Sequence, residues 1–384
     1  MPTVTQLDLF AVDLPFRAPF RHAAAARTVS DSLFLRMTLD DGTQGWGESL
    51  PRRYVSGESR EDAFALLRDT ILPALVGREF ASLPDAMTFL ETCDGKAPID
   101  WVAPHIPQTS AWCAVDLALI DAVGRSTGEP VWPGPAPRTR YSGVASAGSG
   151  WPSVASLLKL RAYRFPQVKL KLGDDGAVAA TRTARRVLGR RIGLRVDANM
   201  AWDVEQALTI IDSLRASGVE SIEQPVAADD LAGLARLTAE SSAPILVDEG
   251  FTDRESLQRL IDRRACTGVN VRISKCGGLV AAQARCREAL AAGLLLQVGC
   301  QVGESSLLSA AHVTLLSVLA PLRPGVRYAE GCFGTHLLRE DPGSPSIQFR
   351  FGGRAPRRPS GAGLAVRIDE AMLKRWTVDG VRIA

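Results

Sequence analysis

From about Arg140 onward the chain repeats one unit, a short run of aliphatic and β-branched residues followed by a stretch with helical spacing. The runs are "QVKLKLG", "GLRVDANM", "SIEQPV", "PILVDEG", "VNVRISKCGG", "LLLQVGCQVGES" and "VRYAEGCFG". Counted between charged residues near the ends of the runs, the repeat is 26 positions from Lys171 to Asp197 and 26 from Asp197 to Glu223. It is then 25 to Asp248 and 27 to Lys275. A period of that length, with one strand and one helix per unit, predicts an α/β fold of the (β/α) barrel type. In each unit the charged residue stands at the end of the run, just before the loop, and barrels build their sites at that end.

The run "QVKLK" sharpens the point. Strand side chains alternate between faces, so Lys169 and Lys171 share one face while Val168, Leu170 and Leu172 share the other. A lysine face is ordinarily solvated. Five successive units carrying Lys, Asp, Glu, Asp and Lys at matching positions predict instead that these residues look into a common site.

The N-terminal region reads differently. Residues 1 to about 60 read as strands, with a hairpin turn at Asp41-Gly42. From Ser59 to about Thr127 the apolar positions fall at helical spacing, and Pro130 to Arg140 is a linker dense in proline and glycine. With 384 residues, there is room for such an α+β domain beside a barrel. A net charge of +3, with basic residues scattered, gives no reason to expect nucleic acid or an anionic membrane. The N-terminus lacks a signal-peptide layout, and the longest apolar run, near Ala289 to Gly299, is too short to span a bilayer. Seven cysteines without CxxC spacing predict reduced thiols, a cytoplasmic setting and no zinc site; Cys300 and Cys332 approach a cleft or are small buried thiols.

Asp197, Glu223 and Asp248 converge in a closed barrel, and three carboxylates in a low-dielectric cleft require a cation. All-oxygen donors without His or Cys favour Mg²⁺, with Mn²⁺ a possible substitute. Asn199 shares a face with Asp197 and supports a ligand or forms a turn. Lys171 and Lys275 then flank the metal from opposite sides. A nearby divalent ion and a second lysine disfavour the ammonium form, bringing the pair toward general-base use on a proton α to a carboxylate. Lys169, one pleat deeper, tunes Lys171, touches the substrate carboxylate or is satisfied by a carboxylate.

With "KLK" at Lys169–Lys171, "DAN" at Asp197–Asn199, "EQP" at Glu223–Pro225, "DE" at Asp248–Glu249 and "SKCGG" at Ser274–Gly278, the chain resembles the enolase superfamily, muconate-lactonizing subgroup, of the mandelate racemase/muconate lactonizing enzyme family. "GWGES" near Gly45 and "DLALIDAVGR" near Asp116 extend the resemblance to that family's capping domain. It implies a (β/α)7β modified TIM barrel with an α+β capping domain. The divisions are then 1–135 for the cap, 136–340 for the barrel and 341–384 for a segment returning to the cap. It also implies metal ligands at Asp197, Glu223 and Asp248, acid/base lysines at Lys171 and Lys275, and an enediolate intermediate. Glu249 follows as a supporting residue. Loops over the barrel mouth make Arg17, Arg21, His22, Arg53 and Tyr54 candidates for substrate choice.

Dipeptide epimerases of the subgroup carry Asp-x-Asp at the last barrel strand to hold the substrate ammonium. Here that stretch is "YAEGCFGTH", with Glu330 as its only acid. Glu304 in "VGESS" and Glu330 face a cation, or pair with an arginine or a site lysine. His312 reads as a satisfied, half-buried helix residue; His336 follows the eighth strand. The expected activity is that of an isomerase, a racemase/epimerase or cycloisomerase, acting on an amino-acid derivative or related carboxylate. The alternatives are a syn-dehydratase (a lyase) resembling o-succinylbenzoate synthase, a non-catalytic barrel relative, and a metal-independent glycosidase. A homo-oligomer with a small-molecule carboxylate as its partner is expected.

Overall fold

A computed structural model describes residues 1–22, 25–148, 150–173, 176–322 and 326–384, without the side chains of residues 20–22, 25 and 26. The candidates Arg21 and His22 therefore lie outside the described side chains. The first three strands, β1 (Val4–His22), β2 (Ala25–Leu39) and β3 (Gln44–Ser49), form an antiparallel sheet. The C-terminal strand Thr377–Ile383 joins it against β1, with Leu7 opposite Ile383. The helix Thr109–Thr127 packs beneath this sheet. Gly45 and Gly47 permit the approach: a Cβ on either would collide with the backbone of Ala122 or Ala114.

The second sheet has eight parallel strands in sequence order: β4 (Gly143–Ser146), β5 (Gln167–Lys171), β6 (Gly193–Asp197), β7 (Val219–Glu223), β8 (Ile245–Val247), β9 (Gly268–Val271), β10 (Leu295–Val298) and β11 (Val326–Ala329). A bridge from Tyr141 to Ala329 brings its two edges together, giving a TIM-type barrel with a cap. Seven of the strands are the runs read above. The eighth, β4, has the sequence "GVAS", too small and too weakly apolar to stand out from the linker before it.

Register explains how one strand serves two environments. Val168 and Leu170 of β5 pair with Leu194 and Val196 of β6, and all four are buried on the face shared with the outer helices. The alternate positions, Lys169 beside Arg195 and Lys171 beside Asp197, face the barrel interior.

Buried carboxylates tie cap to barrel. Glu48 of β3 accepts hydrogen bonds from Ser305 N (2.9 Å), Ser305 Oγ (2.5 Å) and Leu308 N (3.1 Å), at the start of the barrel helix Ser306–Leu319. Asp116 accepts from Leu279 N (2.7 Å) and Val280 N (3.3 Å), at the start of the helix Leu279–Ala291. Both use N–H groups that have no partner inside the helix. Among the described residues no helix is long and apolar enough to cross a membrane, and all seven cysteines are free thiols.

Candidate active site

Lys171, Asp197 and Glu223 are the last residues of three neighbouring strands and lie side by side in register. Asp248 is the first residue after β8. Lys275 departs from the expected matching position: it lies four residues beyond β9, in the turn before the helix Leu279–Ala291. Its side chain reaches back to the rim, where Nζ donates to Asp248 Oδ1 (2.8 Å), Asp248 O (2.7 Å) and Asn270 O (2.8 Å). Arg272, one residue past β9, holds the place nearer the strand end and pairs with Asp248.

The rim backbone is held in uncommon conformations. Asn199 (φ 48°), Met200 (φ 62°), Gln224 (φ 40°) and Cys332 (φ 51°) all occupy the left-handed region without being glycine. Local hydrogen bonds hold two of them. Asn199 donates to Asp197 Oδ1 through N (3.1 Å) and Nδ2 (2.9 Å). Gln224 Oε1 accepts from Asp248 N (3.0 Å) and Gly250 N (3.3 Å), linking the ends of β7 and β8.

Charge compensation at the rim is dense. Buried Lys169 lies 3.1 Å from Glu223, 2.7 Å from Glu330 and 3.5 Å from Asp197, and Lys171 lies 3.6 Å from Asp197. Burial alone would lower the Lys169 ammonium; Glu223, Glu330 and Asp197 outweigh it and hold the group above its ordinary value. Glu223 also accepts from Asn270 Nδ2 (2.9 Å) and Gln297 Nε2 (2.9 Å). Burial opposes ionisation there, yet Lys169, Arg195 and Arg272 bring its carboxyl down to about 2. For Lys275 burial prevails, pushing the ammonium down to about 7.

The carboxylates are not gathered about a single point. Among the described residues no three His, Cys, Asp or Glu side chains are placed to hold a metal ion, and lysines and Arg272 grip the acids. Their chemistry nonetheless fits a hard cation. Glu249 Oε2 is buried without a hydrogen-bond partner. Burial first, then the charges of Asp197 and Glu223, push the Glu249 carboxyl up to about 7. All four rim acids offer only oxygen, the donor set Mg²⁺ and Mn²⁺ prefer.

A cavity of about 150 Å³ opens at this rim, lined by Lys169, Lys171, Asn199, Glu249, Arg272 and Glu330. Tyr54 and Val302 line it too, with Phe333 and Leu337. A larger depression, about 740 Å³, lies on the cap, where Asp8, Arg36, Glu370 and Arg382 pair among themselves. It contains none of the rim residues, and the smaller cavity is the one that adjoins the chemistry.

The other candidates are placed as follows. Arg53 turns outward to Asp62 (2.8 Å) and is exposed, and Arg17 Nε donates to Thr335 O (2.5 Å). Glu304 does not line the cavity: it accepts from Gln301 N (2.7 Å), and burial pushes its carboxyl up to about 8. Glu330 is paired with both Lys169 and Arg195. His312 is fully buried, not half-buried, because the helix Ser306–Leu319 is covered on every side; burial brings it down to about 4, so it is neutral. His336 stacks on Phe349 with ring centres 4.6 Å apart. Cys300 lines the cavity, whereas Cys332 is buried 3.2 Å from Tyr141 Oη. Sequence reasoning missed Arg195, Arg272 and Gln301. Arg272 had a signal, since it lies 24 positions after Asp248, close to the repeat.

A barrel with this cap and this ring of acids and lysines defines a class, and comparison with known proteins gives the same one. The family model for enolase C-terminal domain-like proteins matches residues 153–372. That for the mandelate racemase / muconate lactonizing enzyme N-terminal domain matches residues 4–133. The chain belongs to the mandelate racemase/muconate lactonizing enzyme family of the enolase superfamily, among its isomerases. It is 28% identical to the N-succinyl-L-Arg/Lys racemase of Bacillus cereus over 316 residues, covering 80% of this chain and 82% of that one. It is 27% identical to muconate cycloisomerase 1 of Rhodococcus opacus over 385 residues, covering 98% of each. The crystal structure of the B. cereus racemase superposes with a TM-score of 0.86 at 25% identity, covering 100% of both chains. Membership of this family suggests a divalent metal.

Proposed function

We propose that the chain abstracts the proton α to the carboxylate of a small molecule, with Asp197, Glu223 and Asp248 holding Mg²⁺, or Mn²⁺ in its place. The observation that carries this is the shared register of Lys171, Asp197 and Glu223 beside a cavity, with Lys275 reaching Asp248 from the other flank. When bound, the ion supplies positive charge against the negative charge that develops on the substrate carboxylate. Lys171 lines the cavity and acts as a general base on the α-proton. Lys169, kept cationic by Glu223, Glu330 and Asp197, offers fixed positive charge to the substrate carboxylate. Asn199 orients Asp197, and Gln224 orients the backbone of Asp248. Glu249 completes the acidic rim, and Tyr54 supplies part of the wall over it. Residues 1–135 serve as cap, 136–340 as barrel and 341–384 as the return to the cap. The free thiols suit a reducing, cytoplasmic setting, and a homo-oligomer is the expected assembly.

Racemisation or epimerisation is the first form of this reading, with Lys275 the base of the opposite face. The one-base form, cycloisomerisation, is favoured by one observation. Lys275 is fully buried, is absent from the cavity wall and spends its ammonium on Asp248 and two carbonyls. The test is incubation in D₂O with Mg²⁺ and a panel of N-acylated amino acids, dipeptides and hydroxy acids. Deuterium should enter the α-carbon of at least one class, and a chelator should stop it. A panel without any exchange, in the presence of metal, overturns the proposal.

A further inference from the structure

The barrel has a second opening, at the end away from the catalytic rim. A pocket of about 550 Å³ lies there, at the start of β5, β6, β7 and β11, and is lined by Gln167, Gly193, Glu220 and Val326. Behind it, Glu220 accepts from Gln167 Nε2 (3.1 Å) and from Tyr328 Oη (3.5 Å). Arg195 lies over the Tyr328 ring, 4.1 Å from its centre, and with Gln297 and Glu330 fills the barrel between this layer and the rim. The two cavities share no lining residue.

Positive charge gathers on the wall. Arg138, Arg140, Arg191 and Arg327 line the pocket against one carboxylate, Glu220, so four charges less one leave +3. The whole chain sums to the same value over 384 residues. In sequence the four are scattered over the linker, the residues before β6 and β11 itself; only the fold brings them together. Little inside the protein neutralises them. Glu220 lies 3.8 Å from Arg327, and Arg140 donates only to the carbonyls of Gly352 (2.9 Å) and Arg164 (3.2 Å). Among the described residues Arg138 and Arg191 have neither a hydrogen bond nor an ion pair, and both are exposed. A concave wall of one sign focuses its field and concentrates ions of the other sign. Guanidinium forks grip paired oxygens of phosphate or carboxylate. The volume lies within the roughly 300–1,000 Å³ of small-ligand sites.

We infer that this pocket binds a small anion carrying at least about three negative charges on closely spaced oxygens, a triphosphate or a tricarboxylate. Binding here is independent of the α-proton reading and uses none of the rim residues.

Calorimetry of the whole chain at low salt tests this, with tripolyphosphate, citrate and acetate as probes and no metal added. Tripolyphosphate or citrate should bind once per chain, at least about 10-fold more tightly than acetate. Raising NaCl from about 20 mM to about 300 mM should weaken that binding about 10-fold. A preference of about 10-fold between the two assigns the site to phosphate or to carboxylate oxygens, and parity assigns it to charge alone. Arg138→Ala/Arg191→Ala should weaken binding at least about 10-fold, with the thermal transition of the free protein unchanged. Arg182→Ala/Arg357→Ala removes the same charge from exposed positions outside the pocket and should leave affinity within about 2-fold. Equal weakening by the two double variants, or acetate bound as tightly as the polyvalent probes, overturns the inference. So does the absence of binding by both polyvalent probes.

Discussion

Replacing Glu48 by Gln probes the contact through which the cap reaches the helix behind the site. Glu48 is wholly buried, and burial outweighs the hydrogen bonds from Ser305 and Leu308, raising its carboxyl from 4.5 to about 7. A carboxyl raised on folding binds more protons folded than unfolded between those two values. Its contribution is therefore complete below pH 4.5 and is lost as pH rises through about 7. At about 1.4 kcal/mol per pH unit, the wild-type protein loses about 3 kcal/mol across that window through this group. The Gln variant has no such titration. The stability gap between the two proteins should therefore shift toward the variant by up to about 3 kcal/mol between pH 4.5 and pH 8. Urea midpoints and slopes at pH 5, 6, 7 and 8 for both proteins read the shift directly, and other titrating groups cancel in the difference. A gap that shifts toward wild type as pH rises would refute the reasoning. It would mean that the helix N-terminus holds Glu48 as an anion with a depressed, not a raised, value.

Three further outcomes are expected. Glu223→Gln should weaken Mn²⁺ binding at least about 10-fold by calorimetry or by spin resonance of free Mn²⁺, since one charged donor is lost. Binding equal to wild type would remove Glu223 from the ligand set. Glu330→Gln leaves buried Arg195 and Lys169 without their shared counter-charge and should cost about 3–5 kcal/mol in urea unfolding, whereas an effect below about 1 kcal/mol contradicts the pairing. Asp116→Ala removes the acceptor for Leu279 N and Val280 N and should speed amide exchange at the start of that helix ahead of global unfolding; unchanged protection there speaks against this docking contact.

The barrel was legible because a 26-residue repeat and period-2 alternation are local properties, readable along one strand at a time. They revealed seven strands and placed Lys171, Asp197, Glu223 and Asp248 on one rim. Strand β4 escaped because Gly, Val, Ala and Ser give almost no apolar contrast. Lys275 kept the spacing but not the position, since a four-residue extension past β9 was compensated by a long side chain reaching back. The compensation of the site was legible only as alternatives, a carboxylate for Lys169 and an arginine or a site lysine for Glu330, without the particular partners. Arg195 meets Glu330 across 135 positions of sequence, and Glu48 meets Ser305 across 257; nothing local marks either partner. For the same reason Glu330 could be read as facing a cation or as paired until the inner layer of the barrel was in view.

The central proposal is that Lys171 takes the α-proton, with Lys275 serving the opposite face in the two-base form, and solvent exchange in single-lysine variants tests it most directly. Both enantiomers of an exchangeable N-acyl amino acid are incubated in D₂O with Mg²⁺ and wild type, Lys171→Ala or Lys275→Ala. A general base typically contributes about 10²- to 10⁴-fold, so its loss stands well clear of background. With two bases, Lys171→Ala loses exchange from one enantiomer and Lys275→Ala from the other. With one base, Lys171→Ala alone abolishes the abstraction and no mirrored pattern appears. Wild-type exchange of both enantiomers in both variants would contradict the account.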